Sequence, residues 1–557
     1  MKKIDFANIF LSLLALVLMV GCSLSAPVSN RISGVVLDGN GPIEGAIVRV
    51  QASDLSVTSD ASGLFEIGDL EYDKPIVLTA WKSGYYISAS EEVMPGSKDV
   101  EIHLTAHASE DDPRYEWVSA FSSAGQEGNC ENCHSDESGT LPFNEWQLDA
   151  HAQSAHNVRF LSMYAGTDLE GSQSPLTRKG YSADYGGFPL RPDPDLPYYG
   201  PGYKLDFPET AGNCAACHLP AAAIDQAYSI DPRTVDGVGA EGVTCDFCHK
   251  VWDVKLNQAT GLPYSNMPGV LSFEYRRPPE GHQFFAGPFD DVAPGEDTYT
   301  PIQQESEYCA PCHFGEFWDT VVYNSFGEWL DSPYSDPASG QTCQDCHMPR
   351  VGTNYFARID QGGLVRDPQS IFSHRMPGAA DIDLLRDAVT VNVIAQEVRG
   401  KVIVEVEIDN DNTGHHIPTD SPLRHLILLV SAYDAEGEAL ELTEGPTLPE
   451  WCGLGDAENG NYAGLPGKAY AKILQELWTE VSPTGAYWNP TRVLSDNRIP
   501  AMGTDLSTYS FADPPEGEVT IEVKLLFRRA FIELADQKGW ELEDIVMARE
   551  SITIFAP

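Results

Sequence analysis

Five copies of one short motif, Cys-x-x-Cys-His, are the clearest chemical signal in this sequence. Two thiols at this spacing can form thioether bonds to the two vinyl groups of one haem, and the histidine that follows can bind the iron as its proximal ligand. The predicted cofactors are therefore five covalently bound haems of the c type. The predicted attachment residues are Cys130, Cys133, Cys214, Cys217, Cys245, Cys248, Cys309, Cys312, Cys343 and Cys346, and the predicted proximal ligands are His134, His218, His249, His313 and His347.

Other uses of paired cysteines fit this pattern less well. A zinc site made of four cysteines, or of two cysteines and two histidines, also uses Cys-x-x-Cys, but it does not need a histidine directly after every second cysteine. Disulfide bonds are plausible in an exported chain, yet ten of the twelve cysteines lie in the five motifs. Of the other two, Cys22 is explained below, and Cys452 is expected to be an inert, half-buried thiol.

The spacing of the motifs predicts how the haems pack. The second and third motifs begin 31 residues apart, and the fourth and fifth begin 34 residues apart. These short separations predict two close haem pairs. Because residues 130–347 hold all five motifs and leave little room for an apolar core, the porphyrins are expected to form the core of this region.

Each haem iron has a second axial position, and the residue that fills it decides the chemistry. A second histidine closes the site for low-potential electron transfer, methionine raises the potential, and an empty position permits substrate chemistry. Nine histidines lie outside the motifs, and three of them, His103, His107 and His425, are expected to play no part at iron. The candidate distal ligands are His151, His156, His282, His374 and the adjacent pair His415 and His416.

The N-terminus predicts export. A positively charged start precedes an apolar stretch of 13 residues, Ile9 to Gly21, which is too short to span a bilayer and typical of a signal peptide. It ends in "LMVGCS", which resembles a bacterial lipobox with Cys22 as the lipidated residue; cleavage after Ala26 is the alternative. No later run is apolar enough to span a membrane. We therefore expect an exported chain, anchored only by lipid, in the periplasm or at the cell surface, where haem attachment to such motifs also takes place.

The charge of the chain limits its partners. Acidic residues number 83 and basic residues 35, which gives a net charge of -48. Such a field repels nucleic acid and anionic lipid headgroups, so nucleic acid is not an expected partner and a basic docking protein is favoured. Solubility of an exported protein explains the charge equally well.

Strand patterns lie on both sides of the motif region. The stretch "ISGVVLDGNGPIEGAIVRVQ" alternates and turns at "DGNG", which predicts a hairpin, and "KVIVEVEID" and "HLILLVSAYD" predict strands near the other end. The predicted fold is multidomain: an N-terminal β-sandwich, a central, mostly α or irregular multihaem domain with the haems as core, and a C-terminal β-sandwich with a helical insert. The predicted segments are 1–21 signal peptide, 22–29 lipidated tether, 30–107 first sandwich, 108–117 acidic linker, 118–385 pentahaem domain and 386–557 second sandwich.

Two stretches predict helices. In residues 313–334, aromatic and aliphatic residues recur at steps of three and four, and Pro333 would end the helix. This apolar stripe is expected to pack in the core. The stretch "GKAYAKILQELW", residues 467–478, predicts the helical insert of the second sandwich.

The N-terminal stretch resembles a known β-sandwich module. It contains in order Gly-x-Val, Gly-Ala-x-Val, Thr-x-Asp-x-x-Gly-x-Phe and a late Gly-Tyr. This order resembles the carboxypeptidase regulatory-like domain. The resemblance implies a spacer or docking module without a catalytic role.

The stretches "NEWQLDAHAQSAHNVRF", "GPFDDV", "YCAPCHFGEFWDTVVYNSFGEWLDSPYS", "QTCQDCHMPR", "SHRMPGA" and "TGHHIPTDSPLRH" carry a second resemblance. They resemble multihaem c-type cytochromes related to the tetrahaem cytochrome of the hydroxylamine-oxidation pathway. The resemblance implies that His151, His374 and His415 are distal ligands. His416 would then face solvent or hydrogen-bond the loop, and Asp420 stands where the family usually has glycine. For His156 and His282, a ligand role and a surface position are both open.

Three classes of function fit these features. The first is an electron-transfer cytochrome that relays electrons between other redox proteins at the cell surface. The second is a multihaem oxidoreductase that acts on a small nitrogen or sulfur compound at one open haem, and the third is a structural or adhesive lipoprotein. The supply of at least five candidate distal histidines favours the first, because closed haems do not bind substrate. Self-assembly of the chain is a further possibility.

Overall fold

The computed structural model describes residues 30–71, 73–125, 128–184, 186–512 and 516–556. The predicted signal peptide, tether and lipidation site at Cys22 lie outside these ranges. Within them, no helix combines the length and apolar character that crossing a bilayer requires. The chain divides into two compact units, the first made of the residues up to His107 together with Phe289–Tyr299, and the second of Ala108–Pro288 and Thr300–Pro557.

The first unit is a β-sandwich. One sheet has the order β2-β1-β5 with β8 parallel to β1, and the other has the order β4-β3-β6-β7. Ile32 and Val36 of one sheet and Val48 and Leu78 of the other belong to a single buried core. Burying each side chain stabilises the fold by about 1.5–3 kcal/mol. The strands are β1 Ile32–Asp38, β2 Gly41–Pro42, β3 Ile47–Val50, β4 Ser56–Thr58, β5 Leu64–Ile67, β6 Leu78–Trp81, β7 Ser88–Ala89 and β8 Val100–His103.

The hairpin predicted at "DGNG" joins β1 to β2. Leu37 pairs with Pro42 and Asp38 with Gly41. The Asp38 carboxylate accepts hydrogen bonds from the backbone N–H groups of Asn40, at 2.7 Å, and Gly41, at 3.0 Å. The aspartate therefore closes the turn, as its side chain commonly does at such positions.

Phe289–Tyr299 complete the first unit, although they come much later in the chain. Arg49 forms an ion pair with Asp290, with 2.6 Å between Nε and Oδ1. The Trp81 Nε1–H donates to Thr298 Oγ1 at 3.0 Å, and the Ile87 backbone N–H donates to the Asp297 carbonyl at 2.8 Å. The first unit is thus built from two separate stretches of sequence.

The central part of the second unit consists of short helices and small sheets joined by long loops. Strand pairs β9–β10, β11–β12 and β15–β16 form separate two-stranded sheets. The helices are α1 Glu131–His134, α2 Pro142–Trp146, α3 Val158–Ala165, α4 Tyr203–Asp206, α5 Ala215–His218, α6 Pro220–Ala223, α7 Cys245–Cys248, α8 Ala310–His313, α9 Ser325–Leu330, α10 Cys343–His347 and α11 Ile382–Asp387. The strands of this stretch of sequence are β9 Lys179–Ser182, β10 Gly186–Pro189, β11 Val251–Val254, β12 Phe273–Tyr275, β13 Phe285–Gly287, β14 Asp297–Tyr299, β15 Gly315–Phe317 and β16 Thr320–Tyr323.

Residues 108–117, predicted as a linker, pack within the second unit. Arg277, whose side chain is only 3% exposed, binds the Asp111 carboxylate at 2.7 Å. The Tyr115 hydroxyl donates to Asp246 at 3.0 Å. Because Asp246 lies inside the third motif, this stretch is hydrogen-bonded to the motif region.

The single helix predicted for residues 313–334 is wrong. The hairpin β15–β16 occupies its first half, with Trp318 and Asp319 both at positive φ in the turn, and only α9 is helical. The sequence Thr-Val-Val-Tyr of β16 has the β-branched and aromatic residues that favour strands. Phe314, Val322 and Phe326 are all buried, as predicted for this stripe.

The C-terminal part of the second unit is also a β-sandwich. Its sheets have the orders β17-β18-β23-β20 and β22-β21-β19-β24-β25, and side chains of both sheets share one core, including Val404, Leu428, Tyr509 and Val523. The strands are β17 Thr390–Val398, β18 Lys401–Asp409, β19 His425–Tyr433, β20 Leu442–Glu444, β21 Gly467–Glu476, β22 Thr491–Asp496, β23 Thr504–Phe511, β24 Gly517–Arg528 and β25 Ile545–Ala556, and helix α12 is Ile532–Lys538.

The helical insert predicted at residues 467–478 is also wrong. These residues form β21, which pairs with β19 on one side and β22 on the other. Most side chains of β21 are buried on both faces of the sheet. Such a strand lacks the alternation that marks a half-exposed strand, so its apolar run is indistinguishable in sequence from a short buried helix.

Candidate haem-binding sites

All five motifs form a single helical turn, and this geometry follows from their spacing. Helices α1, α5, α7, α8 and α10 contain or directly follow the first cysteine of each motif. Residues three and four apart on a helix share one face, so the two thiols and the histidine of each motif point to the same side. Thr342 caps α10 by accepting from the Asp345 N–H, and Asp345 accepts in return from Thr342. At α10 the capping residues lie within the motif and directly before it.

Three of the predicted proximal histidines are oriented by backbone carbonyls. Nδ1 of His134 lies 2.8 Å from the Phe356 carbonyl, Nδ1 of His249 lies 2.6 Å from Ala286, and Nδ1 of His347 lies 2.6 Å from Pro377. A carbonyl oxygen can only accept, so Nδ1 must carry the proton. The unprotonated Nε2 is then available to a metal, which is the usual arrangement of a histidine ligand.

His218 and His313 have different surroundings. The His218 ring stacks on Phe160, with ring centres 3.9 Å apart and planes 1° apart. Burial lowers the pKa of His218 to about 4, and it also lowers the pKa of His313. Both imidazoles are therefore neutral near pH 7, the form that binds iron.

Two predicted distal histidines face motif histidines at the distance that a shared iron requires. The rings of His151 and His313 have centres 6.2 Å apart, and so do those of His415 and His347. Two imidazoles that bind opposite faces of one metal ion through nitrogens about 2 Å from it have ring centres roughly 6 Å apart. The fourth and fifth motifs thus each have a second histidine at the separation that a shared iron requires.

Both of these distal candidates have Nδ1 occupied. His151 Nδ1 lies 2.6 Å from the Asp149 carboxylate, and His415 Nδ1 lies 3.0 Å from the His416 carbonyl. Each acceptor fixes the proton on Nδ1 and leaves Nε2 for the iron. Burial also lowers the pKa of His415 to about 4. These residues fit a haem iron with two histidine ligands at the fourth and fifth motifs.

His374 lies close to the first and third motifs. Burial lowers its pKa to about 4, with smaller contributions from the nearby His249 and His134. Its backbone N–H donates to Glu145 at 2.8 Å. His374 is therefore placed to serve one of these two motifs.

The other histidine candidates are more exposed to solvent. His156 and His282 are exposed, which matches the surface alternative that the sequence left open. His416 is half-buried, and its Nδ1 lies 3.7 Å from the Glu328 carboxylate.

Cysteines of different motifs touch one another. A hydrogen bond with Cys130 and burial raise the pKa of the Cys245 thiol, which joins the first and third motifs. In the same way, contact with Cys217 raises the pKa of Cys312, and contact with Cys343 raises that of Cys309. These contacts join the fourth motif to the fifth and the second to the fourth. The two close haem pairs, second with third and fourth with fifth, stay predictions. In a haem-loaded chain these thiols would be thioethers.

Two further sequence predictions concern single residues. Asp420, in the usual glycine position of the resemblance, has φ +68°, so the loop keeps the left-handed conformation that glycine favours and aspartate tolerates.

Cys452, expected to be half-buried, is fully buried, and burial raises its pKa to about 12. Little thiolate forms at such a site, and the inert thiol stays a prediction. Among the described residues there is no group of three or more His, Cys, Asp or Glu arranged to hold a metal ion.

The residues that orient the candidate distal histidines were not among the residues predicted from sequence. Asp149 lies two positions before His151 and could have been suspected, since carboxylates often accept from ligand histidines. Glu328 and Arg498, which hold the loop of His415, have no local signal.

No protein-family model matches this chain, and no curated protein sequence matches it. Among solved structures, it resembles a penta-haem cytochrome c552 from Thermochromatium tepidum, with a TM-score of 0.51, 18% identity, and coverage of 78% of this chain and 99% of that one. The chain has the fold of a multihaem cytochrome. The link to the hydroxylamine pathway and the likeness to the carboxypeptidase regulatory-like domain stay predictions.

Weaker likenesses concern only parts of the chain. A type II cohesin–X-dockerin complex of Acetivibrio cellulolyticus matches with a TM-score of 0.13 and 18% identity, over 14% of this chain and 59% of that one. A PapD-like domain of human CEP192 matches with a TM-score of 0.13 and 9% identity, over 31% of this chain and 88% of that one. Neither bears on function.

Proposed function

We propose that this chain is an exported c-type cytochrome that binds five haems covalently and relays electrons through them. One observation carries the proposal: His151 and His415 face His313 and His347 with ring centres 6.2 Å apart. An iron held between two histidines is closed to substrate and suited to electron transfer.

Contacts between the motifs support a relay. The first motif touches the third through Cys130 and Cys245. The Tyr308 hydroxyl, next to the fourth motif, donates to the Cys248 carbonyl of the third at 3.0 Å. The fourth motif also touches the second and the fifth through sulfur contacts. We infer a path in the order first, third, fourth and fifth, with the second as a branch from the fourth.

The proposal is tested by counting haems and their ligands in the full-length protein. A pyridine haemochrome assay should give five haems per chain, and electron paramagnetic resonance of the oxidised protein should be dominated by low-spin signals. Three or fewer haems in protein made with complete maturation machinery would contradict the proposal.

A second candidate function is catalysis on a small nitrogen or sulfur compound at the second motif. The surroundings of His218 are the observation in favour: among the described residues the ring against His218 is that of Phe160, and no histidine ring lies at the separation found for His313 and His347. The same spectra decide between the two functions. A strong high-spin signal, together with turnover of nitrite or hydroxylamine, would favour the oxidoreductase.

We further propose that the chain is anchored by lipid at Cys22 on the outer face of a membrane and exchanges electrons with other redox proteins. The net charge of -48 favours basic partners. The change Cys22→Ala should release the protein from the membrane fraction. If the variant stays membrane-bound and its processed mass is unchanged, the anchor is wrong. Self-assembly stays a prediction, which light scattering of the purified protein would test.

A further inference from the structure

A buried carboxylate, Glu328, holds the loop that carries His415. It lies on α9, and its side chain is only 3% exposed. Glu328 Oε2 accepts a hydrogen bond from the His416 backbone N–H at 3.2 Å and another from the Thr419 hydroxyl at 2.5 Å. One carboxylate thus binds the loop at the position after His415 and again three residues later.

An arginine balances this buried charge. Arg498 Nη1 lies 2.7 Å from Glu328 Oε1, and the arginine side chain is 6% exposed. Nε and Nη2 of Arg498 each donate to Asp496 at 2.8 Å, which fixes the plane of the guanidinium. Nη1 also donates to the Pro418 carbonyl at 3.3 Å. A buried ion pair is retained only with good geometry and further hydrogen bonds. Both members of this pair make such further hydrogen bonds with the loop.

The backbone of His415 itself is held from the other side. Its carbonyl accepts from Asn410 Nδ2 and from the Thr413 hydroxyl, both at 2.9 Å. Ile417 pairs with Ile499 through two backbone hydrogen bonds. The loop is therefore held on two sides, by these hydrogen bonds and by the contacts with Glu328.

We propose that Glu328 is a positioning residue that, through its ion pair with Arg498, keeps His415 at iron-binding distance from the haem of the fifth motif. The inference rests on the proposed function, since it takes His415 as a haem ligand. The alternative is that Glu328 only stabilises the fold. Groups that orient metal ligands commonly change metal affinity 10- to 100-fold when they are altered, so the two roles are separable by a measurement at the iron.

The test is Glu328→Gln in the full-length, haem-loaded protein. The amide keeps the size of the side chain but loses the charge that holds Arg498. We expect up to one haem in five to become high-spin by electron paramagnetic resonance, and added imidazole to restore the low-spin signal.

The matched control is Asp544→Asn. Asp544 pairs with Arg528 at 2.6 Å, and this arginine is 2% exposed, so the control removes another ion pair of a buried arginine, here within the C-terminal sandwich. It should lower the thermal midpoint while every haem stays low-spin. An equal high-spin signal in both variants would show general destabilisation and overturn the inference.

A third variant separates this inference from the ligand assignment. If His415→Ala leaves all haems low-spin, the assignment of His415 fails. If His415→Ala yields a high-spin haem but Glu328→Gln keeps the wild-type spectrum, only the role of Glu328 fails. Should Glu328→Gln not accumulate, Thr419→Val removes one of the two loop hydrogen bonds and should give a smaller high-spin fraction. An unchanged spectrum in that variant would overturn the inference.

Discussion

The fourth and second motifs have the same local structure but different neighbours. His313 faces the imidazole of His151 with ring centres 6.2 Å apart, whereas His218 lies flat on Phe160 at 3.9 Å. The larger separation leaves room for an iron between the two imidazoles, whereas the Phe160 ring covers the flat face of His218 and not the Nε2 edge through which an imidazole binds a metal. A buried, neutral histidine is common to both sites. The difference is that His313 has a second imidazole at this distance, while no second imidazole is assigned to the haem of the second motif.

The largest effect expected from this comparison is at His151. His151→Ala should remove the second ligand of the fourth haem and convert about one haem in five to a high-spin or water-bound form. His156→Ala, five residues away and exposed, is the control and should leave the absorption spectrum unchanged. If both variants keep a wild-type spectrum, the pairing of His151 with His313 is wrong.

The smallest effect is expected at Phe160. Phe160→Leu keeps an apolar side chain against His218, so the free energy of unfolding should fall by about 1 kcal/mol, with no change in the number of low-spin haems. Denaturant titration and electron paramagnetic resonance measure these quantities. Phe555→Leu, at a side chain 72% exposed, is the control and should change neither. A new high-spin signal in Phe160→Leu would mean that the stacked ring supports iron ligation at the second motif.

The attachment turns could be predicted because everything they need lies within five residues. Cysteines at the first and fourth positions and a histidine at the fifth share one helical face wherever the turn forms. The hairpin at Asp38 is equally local, since its closing hydrogen bonds span two and three residues. The resemblance, not the spacing, indicates the candidate distal histidines, and no spacing rule places His415 beside His347.

The contacts between distant segments could not be predicted. The bond from His416 to Glu328 joins residues 88 positions apart, and an isolated glutamate in "SFGEWL" does not differ from a surface residue in sequence. The strand β21 was mistaken for a helix for a related reason. Its side chains are buried on both faces, Tyr470 in the core of the sandwich and Ala471 and Ile473 in the cluster that contains Phe531 and Leu534. The pattern of such a strand depends on partners that the local sequence does not name.

The split composition of the first unit constrains the order in which the protein can mature. Phe289–Tyr299 supply Asp290, Asp297 and Thr298 to the N-terminal sandwich, and they follow the first three motifs in the chain. The chain must therefore be made beyond those three motifs before these contacts of the N-terminal sandwich can form. The first domain to be synthesised is in this sense not the first to be completed. Its last contacts form only after more than half of the chain has been made.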